Sequence, residues 1–387
     1  MLGSPSGRAN ELGDERRSVL EKCVYCPKLC RAACPVSNAT PSESLTPWGK
    51  MSTAFFLARG DVAPVAETAS LAWACTGCFA CRDRCDHKNP VEATLAETRA
   101  ALFAEGHAPA AAREVAENAG RRAEATRESA ARLRQTVATR GAPTKLLVGC
   151  GYLRKAPRQA AEAVAVTQAL LDVDVDVVEA CCGYPARAAG DRRGFDVAKA
   201  EMAREVEGAE RFVVLDPGCA RTLLQDYGET PIRAPELLID IAAASLDRFS
   251  KIDPRAAGQE EQGIEGRTEA SRLRYHDPCQ LGRGLDRYDA PRAILQRLLG
   301  APVGEFERAR ASADCSGGGG ILPRTMPETS AAIADQRKAE HDRLGAGTIV
   351  TACAGSLRRF QKSGLDAIDL VTLMARGLGL DSVAGKD

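Results

Sequence analysis

Residues 75–86 read CTGCFACRDRCD. Their thiols, Cys75, Cys78, Cys81 and Cys85, follow the spacing C-x2-C-x2-C-x3-C. Three thiolates so spaced wrap one [4Fe–4S] cubane, and the fourth reaches the neighbouring cluster of a two-cluster pair. One such run also fits a zinc knuckle, so the rest of the chain must decide. Residues 23–35, CVYCPKLCRAACP, supply a second run: Cys23, Cys26, Cys30 and Cys34. The exchange rule then groups Cys23, Cys26 and Cys30 with Cys85, and Cys75, Cys78 and Cys81 with Cys34, giving two [4Fe–4S] clusters. The first run is one residue longer before its third cysteine, which calls for a bulged loop. The second is followed by Asp86 where proline is usual.

Composition excludes several classes. Lysine plus arginine and aspartate plus glutamate balance at 52 each, so no overall field draws the protein to nucleic acid or an anionic membrane. Aromatic residues make up only 4%, which weakens base stacking further. No apolar run approaches the roughly 20 residues of a membrane helix. The opening MLGSPSGRANELGDERRSVL lacks the apolar stretch of a secretory signal, so the expected location is cytoplasmic. In that compartment fifteen clustered cysteines read as metal ligands rather than disulfides.

The pattern along the chain gives a segmentation. Residues 1–20 read as a disordered tail, and 21–107 as a helical cluster-binding domain. Within it 46–60 and 63–75 are helical, Asn89 is placed to cap a helix opening at Pro90, and Gly106 ends that helix. Residues 108–142, rich in Ala, Arg and Glu, form a helical connector with supporting pairs Glu117–Arg121 and Glu128–Arg132. From 143 strands and helices alternate, which argues for mostly parallel, Rossmann-like sheets. One α/β domain covers 143–249, a polar linker 250–271, and a second α/β domain 272–380. Cys150, Cys181 and Cys219 each follow a strand, where open α/β sheets place their ligands. Cys279, Cys315 and Cys353 recur at offsets of 129, 134 and 134 residues, which indicates a duplication.

The glycine run in SADCSGGGG (312–320) resembles a phosphate cradle, but no Lys-Ser/Thr pair follows it, and Ile-Leu-Pro comes instead. The duplication aligns Cys315-Ser316-Gly317 with Cys181-Cys182-Gly183, so the loop reads as a variant metal corner. No G-x-G-x-x-G follows a strand, and no bound dinucleotide is expected.

With these motifs the chain resembles the iron–sulfur subunits of heterodisulfide reductase, glycolate oxidase and anaerobic glycerol-3-phosphate dehydrogenase. That resemblance spans roughly residues 21 to 375. It implies an α+β architecture: a helical two-cluster ferredoxin module followed by two duplicated Rossmann-like CCG domains. The family motif runs C, a gap, C-C-G, a second gap, C-x2-C. In the first copy Cys150, Cys181, Cys182 and Cys219 match, with Thr222 standing for the last cysteine. In the second Cys279, Cys315 and Cys353 match, with Ser316 and Ser356 in place of two thiols. Serine is a poor ligand for soft iron–sulfur centres. The first copy therefore offers a third iron–sulfur cluster, a tetrahedral zinc site, or no metal. The second is an incomplete site, for which His276 is a candidate further ligand. His87, two residues past Cys85, is placed to tune a cluster.

The function expected on this reading is electron transfer in an oxidoreductase complex. The resemblance implies a flavoprotein partner, or a quinone- or ferredoxin-linked complex through which the chain associates with a membrane. The alternative is a catalytic thiol–disulfide reductase of the heterodisulfide reductase type. A zinc-binding or metal-free scaffold is a third reading for the α/β half.

Overall fold

The computed structural model describes residues 13–26, 28, 30–253 and 273–380. Most of the linker segment therefore lies outside the described residues, as does the start of the tail. Helix Gly13–Val24 begins inside the segment read as tail and carries Val19 and Leu20 into an apolar core with Met51, Phe55 and Leu95. An amphipathic start of that kind is hidden in a sequence whose first residues are rich in Gly, Ser and Pro.

The chain forms two compact units. One comprises Met1–Ala119, Pro185–Phe195 and Asp314–Arg337, and the other Gly120–Tyr184, Asp196–Ala313 and Lys338–Asp387. Two excursions from the repeats thus belong to the unit that carries the paired cysteine runs.

The first unit is helical. Thr46 caps helix Pro47–Arg59 by accepting from the amide of Gly49, Pro47 opens it, and Gly60 ends it at φ 79°. Helix Val91–Ala104 starts one residue later than expected. Asn89 does not cap it, because its side chain is engaged elsewhere (below). Residues 110–136 make two helices rather than one, Ala110–Glu117 and Ala119–Thr136, with the break at Asn118. Trp73 is fully buried among Leu57, Ala72 and Leu102, its indole N–H donating to the carbonyl of Ala189 at 3.1 Å.

The second unit holds two four-stranded sheets. The strands are β1 (Thr144–Leu147), β2 (Val175–Val177), β3 (Arg211–Val214), β4 (Glu236–Leu237), β5 (Leu273–Tyr275), β6 (Gly304–Glu305), β7 (Thr348–Thr351) and β8 (Ala367–Asp369). Every pairing is parallel, in the orders β2-β1-β3-β4 and β6-β5-β7-β8. The second sheet repeats the first strand for strand, as the duplication predicts. Both sheets feed one core, in which Leu146, Val164 and Val213 meet Leu273, Leu298 and Val350. Strands buried on both faces read as near-continuous apolar runs, which is why β1, β3 and β7 are legible in sequence.

Candidate functional site

Three thiol nests lie in the described residues. The first gathers both cysteine runs: Cys30 lies in the field of Cys23, Cys26 and Cys85, and burial with those neighbours pushes its thiol up to about 11. Cys23 is likewise raised by burial and by Cys85 and Cys26, against a bond from Asn89 that lowers it. The Asn89 amide donates to Cys23 Sγ at 3.1 Å and to the carbonyl of Val19 at 3.2 Å. Between Cys26 and Cys30, Lys28 sits at φ 69°, much as Phe79 sits at φ 60° between Cys78 and Cys81.

The second nest joins Cys34 to Cys75, Cys78 and Cys81. These four thiols line one cavity together with Lys50, Phe79, Val91 and Glu92. Burial raises Cys81 well above its ordinary value, with Cys78, Cys75 and Cys34 adding to the effect. The Gly77 amide donates to Cys75 Sγ at 3.4 Å. Lys50 is 3% exposed; its ammonium donates to Cys34 Sγ at 3.4 Å and to the carbonyl of Ala74 at 2.6 Å. Neither Asn89 nor Lys50 is expected from sequence to face a thiol, because neither lies within a cysteine run.

The glycine run of 317–320 has its explanation in this unit. A Cβ on Gly320 would stand 2.1 Å from the carbonyl of Cys75, and one on Gly319 would stand 2.3 Å from that of Thr76. Gly320 also sits at φ 63°. The glycines let this loop lie directly against the backbone that carries Cys75, where any side chain would collide.

The third nest belongs to the first repeat. Cys181 Sγ lies 3.9 Å from Cys150 Sγ, and hydrogen-bonding contacts continue from Cys181 to Cys182 and from Cys182 to Cys219. Cys150 is raised well above the ordinary thiol value by its Cys181 contact and by burial. At Cys219, the Cys182 contact lowers the value but burial and Asp216 outweigh it, leaving the thiol at about 12. These thiols are protonated at neutral pH, so a metal binding there must displace protons.

Strand register corrects the alignment of the two repeats. Thr144 pairs with Arg211 in the first sheet, and Leu273 pairs with Thr348 in the second. Cys150 and Cys279 each stand six residues beyond those first-strand positions. Counting along the third strands from Arg211 and Thr348 makes Asp216 the equivalent of Cys353, and Cys219 the equivalent of Ser356. Cap geometry agrees: Asp216 is the N-cap of helix Pro217–Asp226, and Cys353 that of helix Ala354–Lys362. Thr222 is therefore not the stand-in for a thiol. It lies in the helix interior, its hydroxyl donating to the carbonyl of Gly218 at 2.8 Å. The offset of 134 residues between Cys219 and Cys353 is a coincidence of loop length.

The C-C-G corners do correspond. Gly183 and Gly317 sit at φ 80° and 83°, and their amides point back to Cys181 and Cys315. Ser316 is thus the equivalent of Cys182. Of the remaining residues, Cys279 and Cys353 lie in the second unit and Cys315 in the first. Cys353 is raised to about 12 by burial and by Asp216. His276 is an interior residue, its ring edge-on to Phe360 at 4.8 Å and to Phe306 at 6.3 Å. His87 is exposed.

The donor chemistry of the first two nests suits iron–sulfur clusters: four soft sulfurs each, with N–H donors aimed at sulfur. Among the described residues, no three His, Cys, Asp or Glu side chains are drawn closely enough together to hold a single metal ion. Among the described residues, too, no helix is long and apolar enough to cross a membrane.

Comparison with known proteins finds two kinds of domain in the chain. Residues 19–89 match the 4Fe-4S dicluster domain, and residues 144–224 and 273–358 match the cysteine-rich domain. The chain is 26% identical over 224 residues to a subunit of the dihydromethanophenazine:CoB–CoM heterodisulfide reductase of Methanosarcina barkeri, covering 53% of this chain and 51% of that one. It is 27% identical to a subunit of the fumarate reductase (CoM/CoB) of Methanothermobacter marburgensis, over 47% of this chain and 34% of that one. A probable membrane-anchored ferredoxin of Chromohalobacter salexigens is 28% identical, over 73% of this chain and 43% of that protein. The chain spans about half the length, or less, of these relatives. The chain thus combines a 4Fe-4S dicluster domain with two cysteine-rich domains, and it is similar to subunits of heterodisulfide and fumarate reductases.

Proposed function

We propose that the chain is an electron-transfer subunit of an oxidoreductase complex, relaying electrons between a partner and a downstream acceptor. The observation that carries this reading is the crossing of the two runs: Cys85 stands with Cys23, Cys26 and Cys30, and Cys34 with Cys75, Cys78 and Cys81. Such ligand exchange holds two [4Fe–4S] clusters side by side, a relay that needs no substrate pocket. Cys23, Cys26, Cys30 and Cys85 would hold the first cluster, and Cys75, Cys78, Cys81 and Cys34 the second. The clusters supply one-electron storage; the protein supplies orientation, sulfur-directed donors and exclusion of water. A flavoprotein subunit, or a quinone- or ferredoxin-linked complex, is the partner this role calls for.

Cys150, Cys181, Cys182 and Cys219 would hold a third cluster in the first repeat, or zinc if the thiols close up around it, since as they stand no three are drawn closely enough for a single ion. The second repeat, with Ser316 and Ser356 at positions where thiolates would be needed, is left incomplete. Asp216 and these serines weigh against disulfide chemistry at a five-thiolate centre, since hard oxygen donors bind soft iron–sulfur centres poorly.

The test is iron, sulfide and zinc content with EPR on the full chain purified without oxygen. About eight irons, with two interacting cubane signals, is the expected floor. About twelve, falling by about four in a Cys181→Ser/Cys182→Ser variant, would make the first repeat a third redox station. One zinc beside about eight irons would make it structural. Far fewer than about eight after reconstitution would overturn the relay.

A further inference from the structure

The two thiol nests of the helical unit differ in the charge brought against them. At the nest of Cys23, Cys26, Cys30 and Cys85 the sulfur-directed side chain is the neutral amide of Asn89, 3.1 Å from Cys23 Sγ. All four of these thiols are half-buried. Of the two cations within the first run, Lys28 lies over the Trp48 ring at 3.8 Å, and the exposed Arg31 pairs with Glu43. At the nest of Cys34, Cys75, Cys78 and Cys81 the sulfur-directed side chain is a buried ammonium. Lys50 has two hydrogen-bond acceptors, Cys34 Sγ and the carbonyl of Ala74, the residue before Cys75. Neither acceptor is a carboxylate, and the buried Glu92 on the same cavity wall is engaged by Arg187 at 2.6 and 3.1 Å and by Arg99 at 3.5 Å.

A one-electron reduction adds a negative charge to a cluster already made anionic by its thiolates. A buried cation at contact distance stabilises the reduced form, and so do donors to ligand sulfur. Burial alone acts the other way, since it disfavours the more highly charged form. The second nest is the more buried, with Cys34 and Cys78 both buried where all four thiols of the first are half-buried. Without Lys50 it would therefore be the harder to reduce. A unit charge at this range, unscreened by water, shifts a one-electron equilibrium by about tenfold or more, in the direction opposite to burial.

Resting on the two-cluster reading, we propose that Lys50 is a positioning residue that makes the Cys34/Cys75/Cys78/Cys81 cluster the higher-potential member of the pair. An electron delivered by a one-electron donor then comes to rest there, leaving the Asn89-side cluster oxidised. The more exposed Cys23/Cys26/Cys30/Cys85 cluster becomes the low-potential end of the relay.

The experiment is an anaerobic redox titration of the full chain, followed by EPR, on wild type, Lys50→Met, Lys50→Arg and Asn89→Asp, with iron content measured for each. In Lys50→Met the higher potential should fall by at least about tenfold in its equilibrium constant, about 59 mV for one electron, while the lower one moves far less. Lys50→Arg, which keeps the charge, should stay within about threefold of wild type. Asn89→Asp should depress only the lower potential. Lys50→Met with about eight irons and unmoved potentials overturns the proposal, as does a Lys50→Met shift confined to the lower potential. If Lys50→Met fails to keep its iron, Asn89→Asp decides, and a fall in the higher potential there overturns the assignment. Wild type with far fewer than about eight irons fails at the earlier step and removes the relay itself.

Discussion

Asp216 and Cys353 are structural equivalents: each is the N-cap of the helix that follows the third strand of its sheet. Asp216 Oδ1 accepts from the amides of Gly218 at 2.9 Å and Cys219 at 3.2 Å, and the Cys353 thiol lies toward the amides of Gly355 and Ser356. One backbone shape thus presents a carboxylate in the first repeat and a thiol in the second. The Cβ of Asp216 and the sulfur of Cys219 would stand 3.0 and 3.3 Å from a Cβ on Gly149, so this carboxylate borders the thiol nest of Cys150, Cys181, Cys182 and Cys219.

Asp216→Ala removes the cap and should destabilise the second unit by about 1 kcal/mol, whereas Asp216→Asn, still able to cap, should cost much less. Anaerobic thermal unfolding of the loaded protein reads both. Equal losses in the two variants would mean that the carboxylate's charge, not its capping bond, is what the fold uses.

Gly320 is held against the carbonyl of Cys75 with no space for a side chain. Gly320→Ala should therefore push the 75–77 loop outward, strain the left-handed backbone at φ 63° and cost about 1–3 kcal/mol. Because the displaced loop carries Cys75, iron loss should be confined to one cluster of the pair. A Gly320→Ala protein with wild-type iron content and wild-type EPR would show that the loop does not brace the nest.

Two scales of information separate here. The apolar runs of β1, β3 and β7 and the local cysteine spacing announce the parallel sheets and the neighbours of each thiol, because both depend on residues a few positions apart. The equivalence of Asp216 with Cys353 was hidden, because residue counting cannot tell a loop insertion from a shifted motif and only the pairing of Thr144 with Arg211 and Leu273 with Thr348 can. Lys50 and Asn89 were hidden for a related reason. Each reaches sulfur across the fold, and a lysine between Gly49 and Met51 carries no local mark of burial. The break at Asn118 is not legible in the sequence because helix propensity on both sides of it is high.

Glu92 is buried between two arginines, bidentate to Arg187 and within 3.5 Å of Arg99. Glu92→Ala leaves two guanidinium groups without this carboxylate in a low-dielectric setting and should cost about 3–5 kcal/mol. Glu92→Gln, which keeps an acceptor, should fall between that variant and wild type. Urea midpoints for the loaded protein check the order, and a neutral Glu92→Ala would mean that water reaches these arginines.

Asp369 gives the protein a pH dependence of unusual sign. It is 1% exposed, accepts from the Tyr152 hydroxyl at 2.7 Å and from the amide of Val371 at 3.0 Å, and caps helix Leu370–Gly377. Burial, only partly offset by those two bonds, raises its carboxyl to about 7, with Glu162 and Asp216 adding to the rise. An unfolded aspartate titrates near 3.9, so between roughly pH 4 and 7 the folded state holds a proton that the unfolded state has lost. The associated stability is fully present below about pH 4 and drains away as pH rises through about 7. Between pH 6 and 8 the loss should be about 1.4 kcal/mol. Asp369→Asn keeps an acceptor and a cap but cannot titrate. Relative to wild type its thermal midpoint should therefore gain about 2–4 °C on going from pH 6 to pH 8. A difference between the two proteins that stays constant across that range would place the Asp369 carboxyl on the ordinary side of neutrality and remove the effect.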